Sequence, residues 1–324
     1  MIIESAFQPA PWLKNPHLQT IFAASFRPRP RLQVRRERIE LPDGDFLDLD
    51  WVDGDTQPGA PIVILLHGLT GSIKSKYARG LMRAFDARGW RAVLMHFRGA
   101  SGEPNRLPRG YHSGETSDVD YVARLLKQRE PQVPLAAVGF SLGGNVLLKW
   151  LGEQGAAAPV RTAVAVSVPF DLRLCAQAIR VGFSRVYQNR LLRLMRAAIR
   201  QKFSRIEPPF TLPELHRLRD FIEYDDAVTA PLHGFTGVDD YYDHSSSRHY
   251  LKNIRIPTLV LHARDDPFMS PDVVPNPDDL SDQVRLELSA HGGHVGFVSA
   301  NGRGRPYFWL EDRIPTHLAQ YLST

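Results

Sequence analysis

The sequence predicts an α/β fold: a mostly parallel central sheet with flanking helices, interrupted late in the chain by an inserted helical segment. Three observations carry this. Short apolar runs of strand length alternate with stretches of helix length up to Val168. The alternation stops between Pro169 and about Asn253, then resumes. Between one apolar run and one helical stretch stands Gly139-Phe140-Ser141-Leu142-Gly143, a G-x-S-x-G pentapeptide.

The elements follow in order. Leu32 to Leu41 and Phe46 to Val52 read as strands around Pro42-Asp43-Gly44-Asp45, whose Asp-Gly pair suits a hairpin turn. Pro61 to His67 is a continuous apolar run with the signature of a fully buried strand. A helix is expected over Ser75 to Arg88, a strand over Arg91 to Phe97 and a helix over Ser113 to Gln128. Leu135 to Phe140 is the next strand, Leu142 to Glu153 its helix, and Arg161 to Val168 another strand. After the helical gap come strands at Thr258 to Ala263 and Val284 to Leu288, then a final helix near Pro306 to Tyr321. Alternation of this kind implies βαβ units. The expected organisation is therefore three segments: 1–168, the first part of the core; 169–253, a helical lid; and 254–324, the rest of the core. Ligands in open α/β folds sit at the strand ends that such a lid would cover.

The chain has 324 residues, 43% of them hydrophobic and 23% charged, enough for one large domain with an insertion. Its net charge of +5, mostly arginine, permits attraction to anionic surfaces without specifying a partner. Cys175 is the one cysteine, so no internal disulfide forms, and its apolar neighbours mark it as a buried, inert thiol. The start, Met1-Ile2-Ile3-Glu4, lacks a basic and then apolar leader, and no apolar run approaches the roughly 20 residues of a membrane span. A soluble cytoplasmic protein is expected.

A serine on a tight strand-to-helix turn is pushed out of the sheet with its hydroxyl exposed, and flanking glycines permit the crowded backbone. Ser141 is thus the candidate nucleophile. Its hydroxyl needs a base, and the base needs a carboxylate that fixes its tautomer. On α/β-hydrolase scaffolds the chain order is Ser, then an acid after a late strand, then His after the last. Both late positions are filled twice. Arg264-Asp265-Asp266-Pro267 offers two carboxylates, with Asp266 favoured at the loop tip before proline. His291-Gly292-Gly293-His294 offers two imidazoles, with His294 favoured by its Gly-Gly-His loop. For the oxyanion hole, one donor is the N–H of Leu142, the residue after the serine. The other is expected from His67-Gly68-Leu69-Thr70-Gly71, at the N–H of Leu69, with His67 bracing the loop.

At this point the chain resembles the YheT-like family of α/β-hydrolases. The matching stretches are Asn15-Pro16-His17-Leu18-Gln19-Thr20, His67 to Ser72, Phe97-Arg98-Gly99, Tyr111-His112-Ser113-Gly114-Glu115-Thr116, Gly139 to Asn145, Asp265 to Phe268, and Gly292 to Phe297. The resemblance implies an α/β-hydrolase fold, a triad of Ser141, Asp266 and His294, and hydrolysis of carboxylic esters; short- to medium-chain acyl or lipid-derived esters are the expected substrates. No metal or organic cofactor is implied. The Pro16 to Thr20 and Tyr111 to Glu115 stretches carry no evident chemistry of their own and are expected to brace loops or shape the entrance. His17, His96 and His112 are then structural or pocket-lining.

Arg190, Arg193, Arg196 and Arg200 recur at helical spacing, opposite Leu191, Leu194, Met195, Ala198 and Ile199. Two readings stand: a solvated basic face above an apolar contact, or a face that meets anionic lipid headgroups or an anionic substrate. Phe170, Phe183, Phe203, Phe210 and Phe221 could line a long apolar pocket or fill ordinary core. Rival functions are an acyltransferase or thioesterase on the same triad, and a non-catalytic binding fold with a broken triad. A metalloenzyme would need His291, His294 and both aspartates to converge. Nucleic acid is not an expected partner, because the arginines come without a recognisable binding fold.

Overall fold

Fully apolar runs become buried strands, because a sheet with helices on both faces leaves no strand surface for water. The computed structural model describes residues 1–54 and 56–322. Asp55, in the expected 1–168 segment, and Ser323 and Thr324, at the end of 254–324, lie outside the described residues. The first elements are β1 (Ile2–Glu4), α1 (Pro16–Ser25), β2 (Arg35–Glu40), β3 (Phe46–Val52), β4 (Ile62–Leu66) and α2 (Lys76–Asp86). Next come β5 (Arg91–Met95), α3 (Ser117–Arg129), β6 (Leu135–Phe140), α4 (Leu142–Gln154) and β7 (Thr162–Val166). A helical run follows: α5 (Leu172–Ala178), α6 (Ser184–Phe203), α7 (Phe221–Tyr224), a π turn at Asp225–Thr229, α8 (Ala230–His233) and α9 (Val238–Ser245). The chain returns to the sheet with β8 (Thr258–Ala263) and β9 (Val284–Ser289), then β10 (Val298–Ala300), β11 (Pro306–Phe308) and α10 (Leu310–Leu322).

Among the described residues, nine strands form one sheet in the order β1-β9-β8-β7-β6-β4-β5-β3-β2. The seven strands from β1 to β5 in that order run parallel, and β3 and β2 close the far side antiparallel. Period-two alternation divides the core in two. Ile62, Ile64 and Leu66 of β4 join one buried cluster, and Val63 and Leu65 join another on the opposite face. The outer strand β2 is charged, with Arg36 and Arg38 directly opposite the buried Asp50 and Asp48 of β3. Such an edge discourages pairing with another chain.

β4 is flanked by β5 on one side and β6 on the other, so the chain direction of the crossovers reverses there. A crevice opens beyond the strand ends at such a switch point. The carboxyl ends of β4, β6, β7, β8 and β9 all face it. Part of the helical run lies above, while Ser247–Asn253 packs back on α4: Gly152 meets Tyr250, and Asn145 Oδ1 accepts from Ser247 N at 2.9 Å.

Two expected helix starts move by four residues. The helix expected from Ser113 starts at Ser117, because Ser113 N–H donates to Tyr241 Oη (3.0 Å) and Glu115 accepts from Ser117 N–H (3.0 Å). The helix expected from Pro306 starts at Leu310, because 306–308 pairs antiparallel with β10. The strand β1 and the helix α1 lie where no element was expected. β1 holds its place through parallel pairing with β9, a partner some 280 residues away that local sequence cannot report.

Candidate active site

Ser141 caps α4 with φ 52° and ψ −120°, a backbone region costly for a residue with a side chain. Two constraints hold it there. Ser141 N–H donates to Val166 O of the neighbouring strand at 2.8 Å. Gly143 lets the helix start press on β4: a Cβ there would lie 2.5 Å from Leu66 O and 2.6 Å from His67 O. The turn therefore lifts the hydroxyl out of the sheet and into the crevice.

The favoured members of each pair converge on it. His294 Nε2 lies 2.9 Å from Ser141 Oγ, and His294 Nδ1 lies 2.8 Å from Asp266 Oδ2. Asp266 Oδ1 accepts from Phe268 N–H at 2.9 Å, so its carboxylate is held at both oxygens. These partners put the imidazole proton on Nδ1 and leave Nε2 to accept from the serine. The Phe268 ring stacks on the His294 ring, centroids 4.0 Å apart and 6° from parallel. Asp266 is almost wholly buried.

The competing residues form a separate pair. Asp265 Oδ2 lies 3.2 Å from His291 Nδ1, and its Oδ1 accepts from Gly293 N–H at 3.1 Å. Burial raises the Asp265 pKa above the usual carboxylate value. The pairs do not merge, and among the described residues no group of three or more His, Cys, Asp or Glu could hold a metal ion.

The loop after β4 offers its N–H groups unevenly. Gly68 N–H donates to Tyr77 Oη at 2.9 Å, and Thr70 N–H donates to Tyr111 Oη at 3.0 Å. Between them, the Leu69 N–H has no acceptor among the described residues. Leu142 is the first residue of α4, so its N–H has no intrahelical acceptor either. Both residues line the same cavity as Ser141. His67 braces this loop as expected: its Nδ1 donates to Gly68 O (2.8 Å) and its Nε2 accepts from Phe97 N–H (3.3 Å). Burial lowers its pKa to about 3, so it is neutral.

The histidine loop is held by α1. His294 N–H donates to Thr20 Oγ at 2.9 Å, and Thr20 Oγ donates back to Pro16 O at 2.8 Å. Gly293 is needed there, with φ 61° and a would-be Cβ 2.7 Å from Thr20 Oγ. Gln19 joins the loop after it, through Val298 N–H to its Oε1 (2.7 Å) and its Nε2 to Val298 O (2.9 Å). On the far side, Val295 N–H donates to Ser167 Oγ at 3.0 Å. The Asn15 to Thr20 stretch thus braces the loop that carries His294, and Tyr111 braces the loop that carries Leu69. Thr20, Tyr77 and Ser167 had no functional reading from sequence, and only the Asn15 to Thr20 motif hinted at the first.

Above Ser141 lies a cavity of about 420 Å³, within the roughly 300–1,000 Å³ typical of small-ligand sites. Leu172, Ile179, Leu191, Met195, Ile199 and Phe221 supply much of its apolar wall. Of the five phenylalanines singled out, Phe221 lines the cavity, Phe170 is core and Phe183 is exposed. Cys175 is half-buried and faces this cavity instead of being sealed in the core. Burial, with Asp266 and Asp171 nearby, pushes its thiol pKa well up and keeps it protonated. His96 is structural, bound to Asp50 at 2.7 Å. His112 lines the cavity, accepting from Gly114 N–H at 3.1 Å, and burial lowers its pKa to about 4. His17 contacts Tyr187 of α6 at 3.2 Å. No helix among the described residues is long and apolar enough to cross a membrane.

Known proteins share this architecture. Residues 61–300 match the model of the alpha/beta hydrolase fold family. The predicted esterase YheT of Escherichia coli strain K12 is 45% identical over 320 residues, covering 98% of this chain and 94% of YheT. Phospholipase ABHD3 of Mus musculus is 28% identical, covering 92% of this chain and 74% of its own. A monoacylglycerol lipase of Saccharomyces cerevisiae is 31% identical, covering 83% and 60%. Among solved structures, an esterase of Pyrococcus furiosus aligns with TM-score 0.56 at 17% identity, covering 90% of this chain and 92% of that one. That likeness is one of fold.

Proposed function

The chain belongs to the α/β-hydrolases, in their YheT-like family, and from that premise we propose that it is a serine carboxylic-ester hydrolase acting on lipid-derived or short- to medium-chain acyl esters. The observation that carries the reading is the unbroken relay Asp266–His294–Ser141, at 2.8 and 2.9 Å, on the floor of an apolar cavity.

Ser141 Oγ attacks the ester carbonyl while His294 Nε2 takes its proton. Asp266 holds the ring and stabilises the imidazolium. The N–H groups of Leu69 and Leu142 receive the oxyanion, where loss of one such donor costs about 2.7–4 kcal/mol of transition-state stabilisation. His294 protonates the departing alcohol, and water then releases the acid from Ser141 by the same steps in reverse. The apolar wall suits an acyl chain. Relatives named phospholipase and monoacylglycerol lipase support a lipid-derived ester. The helices α5 to α9 act as the lid of this cavity, which leaves its opening beside α6.

The test is hydrolysis of p-nitrophenyl esters from acetate to palmitate by the wild type and by Ser141→Ala. The variant should lose on the order of a millionfold in kcat. A folded variant that keeps its activity would overturn the serine mechanism. The preferred chain length then sizes the cavity.

A further inference from the structure

Helix α6 spans twenty residues, six of them Arg or Lys and none Asp or Glu. Many arginines elsewhere in this chain pair with carboxylates. Arg36 and Arg38 bind Asp50 and Asp48, Arg91 binds Glu130, Arg98 binds Asp118, and Arg313 binds Glu287. On α6 none of the five arginines does so among the described residues. Arg185, Arg190, Arg193 and Arg200 are exposed, and among the described residues none has a carboxylate or hydrogen-bond partner. Arg196, expected in the same stripe, departs from it: its guanidinium is drawn in to Leu218 O. Lys202 is buried, donating to Asn105 Oδ1 at 2.7 Å.

Beside these free cations lie side chains that water disfavours. Val181 is 70% exposed and Val186 55%, and Phe183, Leu194 and Leu18 of α1 are also open. Scattered singly, such residues mean nothing. Here they share one helix start and its neighbour: Phe183 packs edge-on against His17, 4.9 Å between centroids, next to Leu18. The patch is continuous with the site. Phe183 meets Tyr187 (5.8 Å), Tyr187 meets Phe268 (4.8 Å), and Phe268 stacks on His294. Leu194 is both exposed and part of the cavity wall, so the opening lies on this face.

We propose that the outer face of α6, with the turn before it, docks on an anionic lipid bilayer. The arginines meet lipid phosphates while Val181, Phe183 and Val186 enter the headgroup layer. The charge selects this occupant: cations without counter-charges, flanking apolar side chains, match a surface that is anionic outside and apolar beneath. Docking would set the cavity mouth against the layer in which lipid esters reside. The proposal goes beyond the hydrolase reading and does not depend on it, because binding is a property of the surface and not of Ser141.

The experiment is co-sedimentation of the full chain with phosphatidylcholine vesicles, and with vesicles in which part of that lipid is replaced by phosphatidylglycerol. Four proteins are compared: wild type, Ser141→Ala, the triple variant Arg190→Gln/Arg193→Gln/Arg200→Gln, and Val181→Ser/Val186→Ser. Wild type and Ser141→Ala should partition alike to the anionic vesicles, and added salt should weaken both. The triple variant should lose about a hundredfold in partition coefficient, from roughly fivefold per arginine. The valine variant should fall as well. Far-UV circular dichroism and a wild-type urea midpoint confirm that both surface variants are folded. Equal recovery from both vesicle types, or a triple variant that binds like wild type, would overturn the proposal. A protein that binds but hydrolyses nothing would keep the docking surface and sink the hydrolase reading.

Discussion

Asp265 and Asp266 are adjacent in the chain, and His291 and His294 are three residues apart, yet the fold sorts them into an inner and an outer pair. The inner pair, Asp266–His294, is 2.8 Å apart with side chains 1% and 9% exposed. The outer pair, Asp265–His291, is 3.2 Å apart with side chains 19% and 49% exposed. The inner one continues to Ser141; the outer one ends on Gly293 N–H. The lesson is geometric. After β8 the chain turns at once, with Asp266 N–H donating back to Ala263 O at 3.2 Å, so successive side chains point to opposite sides of one loop. Identical residue types then have different surroundings, and in the reading proposed above only one set reaches the nucleophile.

The largest expected effect breaks the symmetry between the histidines. His294→Ala should lose on the order of a millionfold in kcat, as removal of a triad base does, while His291→Ala should stay within about threefold, being exposed and bonded to Asp265 instead of Ser141. Comparable losses in both would dissolve the distinction. The aspartates repeat the contrast at smaller scale. Asp266→Asn should cost about ten-thousandfold in kcat, because the amide presents the wrong hydrogen-bonding to His294. Asp265→Asn keeps an acceptor for Gly293 N–H and should cost little. If it proved the more damaging of the two, the assignment of acid would reverse.

A smaller effect sharpens the comparison by asking what keeps His294 in the inner position. Thr20→Val removes the oxygen that accepts from His294 N–H without changing the side-chain shape. It should lower kcat about fivefold with little change in KM, by analogy with a lost hydrogen bond of about 1 kcal/mol. Thr20→Ser should restore it, which a purely packing role would not predict.

The smallest expected effect is one of stability. Burial lowers the pKa of His67 to about 3 and of His112, His262 and His317 to about 4. Each is neutral when folded but takes a proton when unfolded below about 6.5. The unfolded state therefore binds more protons as pH falls from 6.5 toward 4, and stability declines over that window. Asp225 works the other way, since burial raises its pKa to about 6 and folding gains as it protonates. The four histidines, joined by His233, which burial also lowers, outnumber Asp225 and the other two carboxyls that burial raises, Asp118 and Asp265. The urea midpoint should be lower at pH 5 than at pH 7.5; an unchanged midpoint would contradict neutral burial of these histidines.

Much was legible beforehand for reasons that are local. The strands at 62–66 and 135–140 are continuous apolar runs, and burial on both faces demands that of a central parallel strand. The elbow was legible because its glycines answer a clash within a few residues, as Gly143 does against β4. The brace on the histidine loop was not. Thr20 and His294 are 274 residues apart, and nothing in either neighbourhood announces their hydrogen bond. The interior position of Arg196 was hidden for a similar reason: helical spacing puts it with the other arginines, but the Leu218 carbonyl, on a later loop, draws it in.

The sequence by itself determined the fold class, the nucleophile turn and the residue types offered after the last two strands. Period, length and steric demand are written into short stretches of chain. Only the tertiary structure decided which aspartate meets which histidine and which arginines stay without partners. It also decided that the helix near the start of the chain holds a loop near its end. Those outcomes depend on which groups from distant segments arrive within about 3.5 Å of each other, and a hydrogen bond has little strength beyond that distance.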